Sequence, residues 1–240
     1  MQYLPVVSTV LVAVFAARVF GRWLERPSRW HQLFWGVGLV FYGLGSLTES
    51  LHALFGWSET WGEANFKVWY IAGAVLVAAW LGQGTVFLLW RRIAVPTLAV
   101  LLVASAYAVF AVASAPFEPG PLIDAAQLSA KDVLPMGVRL LTPFFNIYGL
   151  ITLVGGALWS AFYYLRRRTH ANRMAGNVAI AAGALMPAIG GTLNRFGFQG
   201  LYLGELVGAF LMFYGFLLAS RHAAVAAADS SPAHASSASS

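Results

Sequence analysis

The stretch QLFWGVGLVFYGLGSLTESLHALFGW, residues 32–57, decides the fold. It is apolar for most of its length, and a carboxylate, Glu49, and an imidazole, His52, stand near one end. About 20 mostly apolar residues in helical form cross the hydrocarbon core of a bilayer. The stretch has that length without a charge before Glu49.

The rest of the chain repeats the pattern. Of 240 residues, 59% are hydrophobic and 10% charged, against about 25% charged in soluble domains. With a mean hydropathy of +0.70, this composition belongs to the membrane class. Seven segments are long and apolar enough to span: about 3–24, 32–55, 67–90, 94–115, 139–165, 174–195 and 200–220. Their runs are continuous rather than alternating, and backbone groups in lipid must be satisfied within the segment, so the expected fold is an all-α, polytopic bundle. Residues 1–222 form the transmembrane domain, and the Ala/Ser-rich tail 223–240 is expected to be disordered. The N-terminal run lacks a signal-peptide pattern and reads as a retained first helix.

Basic residues set the expected orientation. Arg18, Arg22, Arg26 and Arg29 surround the first connection, Arg91 and Arg92 the third, and Arg166, Arg167, Arg168 and Arg173 the fifth; Arg221 follows the last span. Lys67, Lys131, Arg139 and Arg195 fall on the other side. Eleven against four places the N-terminus outside and the C-terminus in the cytoplasm. The net charge of +6 is explained by arginines flanking spans and touching anionic lipid heads, not by nucleic-acid binding. Glu59, Glu63, Glu118, Asp124 and Asp132 lie in the two larger outer loops. The longest, 116–138, carries Pro and Gly around a short helical pattern, either lying across the outer mouth or serving as a tether.

Ionisable groups inside spans are costly and by default face protein or water. Here they gather in the outer half. Tyr42, Gly45, Glu49 and His52 share one helix face, as do Arg139, Thr142, Asn146 and Gly149. Asn177, Ala181, Ala184, Ala188, Gly191 and Arg195 form a small-residue stripe that permits close approach. The expectation is an outward-facing polar vestibule whose ligand-binding residues are Glu49, His52, Lys67, Tyr70, Arg139, Asn146, Asn194, Arg195 and Glu205. Its summed charge favours a small anionic or zwitterionic ligand, with the arginines as bidentate donors. The same three cations could instead snorkel to headgroups.

Several chemistries are disfavoured. There is no cysteine for a disulfide, thiolate site or nucleophile. ESLH at 49–52 has the Glu-x-x-His spacing of a metal pair, but no second pair accompanies it and the remaining histidines lie elsewhere. The only lysines are Lys67 and Lys131, so the last span has no Schiff-base lysine. LGQGT at 81–85 lies within a span, so Gly82 and Gly84 read as packing positions and Gln83 as an interhelical hydrogen bonder. No catalytic residue, metal or cofactor is expected. Trp23, Trp30, Trp35 and Trp90 suit an inner aromatic belt, and Trp57, Trp61 and Trp69 an outer one.

PVVS at 5–8 echoes PFFN at 143–146, and LGSLTES at 44–50 echoes IGGTLNR at 189–195, which would fit a 3+1+3 parallel repeat. The runs 69–89, 138–160 and 183–197 resemble a family of uncharacterised bacterial seven-helix membrane proteins. The resemblance implies the fold and brings no activity. The topology is also similar to sugar transporters of the three-one-three type, although Pro5 and Pro143 sit toward the outer ends here. Three roles remain compatible: a transporter or receptor for a small ligand, a structural subunit docking a membrane partner, and an intramembrane enzyme using Glu49 as base on a lipid head group.

Overall fold

A computed structural model describes residues 2–167, 171–196 and 200–229. Among these, all regular structure is helical. The long helices are α1 (Leu4–Glu25), α2 (Trp30–Phe55), α3 (Gly62–Leu89), α4 (Arg91–Ser114), α5 (Met136–Arg167), α6 (Ala171–Arg195) and α7 (Leu201–Asp229). Arg168 and His170, and the tail from 230 onward, lie outside the described residues.

Six of these helices, all but α2, are long and apolar enough to cross a membrane. This is the build of a multi-pass membrane protein. At 26 residues α2 is also long enough, but it is less apolar because it carries Gln32, Ser46, Thr48, Glu49, Ser50 and His52, all buried. The polar groups that lower its hydropathy are thus turned into the bundle. The outward surface of α4 is apolar instead: Val100, Val103 and Phe110 are about 70% exposed.

The bundle has two distinct ends. One, here the arginine end, carries the connections near Arg26–Arg29 and Arg91. The other, the loop end, carries 56–61 and 115–135. The long loop folds back over the loop end. Its Leu122, Leu128, Val133 and Leu134 are buried against Phe66, Tyr70 and Phe145. His52 Nε2 donates to the Ala125 carbonyl at 2.8 Å, and the Tyr202 hydroxyl donates to Ala126 at 3.3 Å. The loop therefore lies across the mouth, pinned from α2 and α7.

Glycines set the closest helix approaches. In α6, Gly176, Gly183 and Gly190 recur at seven-residue spacing, and they face Gly215, Gly208 and Gly200–Gly204 at the start and middle of antiparallel α7. A Cβ on Gly183 would lie 2.7 Å from the Gly208 carbonyl oxygen, and one on Gly208 would lie 2.7 Å from that of Gly183. Real Cβ atoms do not come that close, so only glycine fits the seam. The expected stripe through Asn177, Ala181 and Ala184 is one position away from it. Gly45 of α2 and Gly73 of α3 meet the same way, with a Cβ on Gly45 falling 2.8 Å from the Gly73 Cα.

Two helices are locally widened. α3 contains a π-helical segment, Tyr70–Leu76, and α5 another, Leu150–Val154. Such segments are rare and concentrate at functional places. Gln83, fully buried in α3, joins three helices: it donates to Ala94 O at 2.8 Å and Thr97 Oγ1 at 3.2 Å on α4, and accepts from Tyr148 on α5.

Candidate functional site

The Gly45–Gly73 contact builds the site. Because α2 and α3 run antiparallel through it, one helical turn toward the loop end brings Glu49 opposite Trp69. The Trp69 indole donates to Glu49 Oε1 at 2.8 Å. From the other side α7 delivers Glu205, whose side chain lines the same cavity as that of Glu49 and lies close to it. Tyr42, two turns below Glu49, donates to the Glu205 backbone carbonyl at 2.8 Å and so fixes α7 against α2. Three helices converge on one pair of carboxyl groups.

The second oxygen of each carboxyl, Oε2 of Glu49 and Oε2 of Glu205, is buried and, among the described residues, accepts no hydrogen bond. Among the described residues the only ion pair is Lys67–Glu63, at 2.7 Å. Two neighbouring carboxyl groups with no cation beside them among the described residues repel one another when both are charged. The arrangement calls for a proton between them or a cationic group beside them.

Space for such a group is present. A cavity of about 570 Å³ opens beside the pair, within the range of small-molecule sites. Tyr42, Ser46, Glu49 and Trp69 line it from α2 and α3, Thr142 and Asn146 from α5, Pro187 from α6 and Glu205 from α7. Much of the remaining wall is apolar, with Leu150, Leu153 and Leu201 among its members. Both π segments border it, contributing Gly73 and Ala74 on one side and Leu150, Leu153 and Val154 on the other. Pro187 breaks the α6 ladder at the cavity wall, and the Gly183 carbonyl one turn back is the one that packs against Gly208.

Comparison with family models, curated proteins and solved structures finds no match to this chain. The site must therefore be read from its own chemistry.

The structure brings Glu49, Glu205 and Asn146 onto one cavity and holds Tyr70 just behind it, its hydroxyl 2.7 Å from Thr142 Oγ1. It does not bring in Lys67, Arg139, His52 or Asn194. Lys67 pairs with Glu63 and donates to the Ala113 carbonyl at 2.9 Å, fastening α3 to the end of α4. Half-buried Arg139 stands at the start of α5, outside the cavity lining. His52 is spent on the loop, and Asn194 is exposed at the end of α6. The Arg195 side chain lies outside the described residues. Among the described residues the wall thus has acidic groups and no base, and the expected excess of cations is absent.

Sequence reading missed Trp69, which it placed in the outer aromatic belt. Its indole instead turns inward to Glu49. The signal was available: Trp69-x-x-x-Gly73 and Gly45-x-x-x-Glu49 are complementary once the two glycines are paired. Ser50 and Thr48, by contrast, bond back to the preceding turn, at Ser46 O and Gly45 O, as span hydroxyls commonly do.

Proposed function

We propose that this chain is a multi-pass protein of the bacterial inner membrane that binds a small molecule in the cavity beside Glu49 and Glu205, as a transporter or receptor. In this reading α2 is the seventh span, the loop end faces outward and the arginine end faces the cytoplasm, as the basic residues indicate. The observation that carries the reading is the pair of buried, unpartnered carboxyl oxygens on a cavity of about 570 Å³. The ligand that suits this wall carries an ammonium or another N–H donor and an apolar body. A zwitterion would bind through its cationic end. A purely anionic ligand would meet two carboxyl groups and no base among the described lining residues.

Thermal unfolding of the purified protein in detergent tests this, with amines of graded size compared against carboxylates of matched size. Amines should raise the melting temperature; at a hundred times its dissociation constant a ligand adds about 2.7 kcal/mol. Glu49→Gln and Glu205→Gln should each abolish the increment. Stabilisation by carboxylates and not by amines would refute the reading.

The Trp69–Glu49 bond favours one alternative, a structural lock in which the pair only fastens α2, α3 and α7. That alternative predicts a large loss of unliganded stability in Glu49→Gln and no amine effect in the wild type.

A further inference from the structure

A second, smaller cavity of about 60 Å³ lies in the half of the bundle toward the arginine end. Trp35, Thr85, Ser160, Asn177 and Phe216 are among its walls. It lies in line with the carboxyl cavity, because three residues border both: Leu81 on α3, Leu153 on α5 and Met212 on α7. All three are apolar and at most 7% exposed. They pack in one buried cluster with Leu39 and Phe216. Polar side chains thus line both cavities, Ser46 and Glu49 on one side and Thr85, Ser160 and Asn177 on the other, with only these three residues common to the two.

We infer that the two cavities are the halves of one permeation route through the bundle, closed where Leu81, Leu153 and Met212 meet. The inference rests on the ligand-binding reading above for the identity of the solute, an amine-bearing small molecule, and adds that this solute crosses. A short apolar constriction between wet chambers excludes water and ions while it is closed, and small outward movements of its side chains rewet it. The local backbone suits such movement. Leu153 lies within the π segment Leu150–Val154, and Leu81 follows the π segment Tyr70–Leu76 in the same helix. Relaxing one π turn to α rotates the chain beyond it by about 100°. That rotation would carry Leu153 off the constriction. The Trp35 indole donates to Thr85 Oγ1 at 3.3 Å across the small cavity, so its walls are already tied by polar contacts.

The absence of native cysteine makes the test direct. Asn146→Cys marks the carboxyl cavity and Asn177→Cys the small one. Each is reconstituted into liposomes, sorted by orientation and exposed to a membrane-impermeant maleimide from one side. With the constriction intact, Asn146→Cys should react only from the loop end and Asn177→Cys only from the arginine end. Adding Leu153→Ala should make Asn177→Cys react from the loop end at least about tenfold faster, and should raise methylammonium flux into the same liposomes in parallel. Leu81→Ala and Met212→Ala serve wherever Leu153→Ala fails to keep the wild-type melting profile.

Unchanged one-sided labelling in folded variants at all three positions would overturn the route. Amine stabilisation persisting in that case would leave the cavity a closed-ended site, as in a receptor. Opened labelling without any amine stabilisation would keep the route and refute the amine-binding reading instead.

Discussion

Replacing Trp69 with Phe deletes the N–H that Glu49 accepts at 2.8 Å and leaves an aromatic ring in place. A hydrogen bond to an ionised or proton-sharing carboxyl is worth about 1.5–3 kcal/mol when its loss strands a buried oxygen. Trp69→Phe should therefore lower the melting temperature, and it should weaken amine binding by leaving Glu49 free to rotate. Thermal unfolding with and without an amine reads both effects. What could be read at this scale was the presence of costly groups, not their direction. Glu49 and Glu205 have short stems that reach the interface less easily than a lysine or arginine, which is why they were expected to face the bundle interior. Lys67 and Arg139 have long stems that admit several destinations, and the Ala113 carbonyl that captures Lys67 is 46 residues away.

At the scale of elements, the seam between α6 and α7 depends on glycine. Gly183→Leu or Gly208→Leu would drive a side chain into the opposing backbone, where even a Cβ falls 2.7 Å from oxygen. Each should cost at least the 1–3 kcal/mol typical of overpacking, read as a drop in melting temperature. Gly155→Ala is the matched control. Its Cβ would meet nothing within 4 Å, and it should be neutral or stabilising by up to about 1 kcal/mol. The heptad glycines at 176, 183 and 190 were visible in the sequence, but the seam needs two partners to be recognised, and the small-residue stripe beside it drew the reading one residue off. The two π segments had no sequence signal at all, because a π turn arises from packing that forces an extra residue into a turn. The loop 115–135 belongs to this scale too. His52→Ala should release its Ala125 contact and speed backbone hydrogen exchange across residues 120–134, while leaving exchange in α6 unchanged.

For the whole molecule, length and hydropathy were enough to establish a helical membrane bundle, since lipid permits few other folds and six of the helices meet the demands of a span without help from tertiary structure. α2 is different. Its polar groups are compatible with a bilayer only because other helices cover them, and that cover cannot be inferred from one segment alone. The same cover creates the carboxyl pair, joining positions 49 and 205 through contacts among α2, α3 and α7. The central claim is the one proposed above, that this pair binds an amine; if the pair shares a proton when empty, a cationic amine taking its place must set that proton free. Counting protons released into weakly buffered detergent solution during a methylammonium titration tests it most directly. The account predicts release approaching about one proton per amine bound, absent in both Glu49→Gln and Glu205→Gln. Amine binding that releases no proton, or release that survives either substitution, would contradict it.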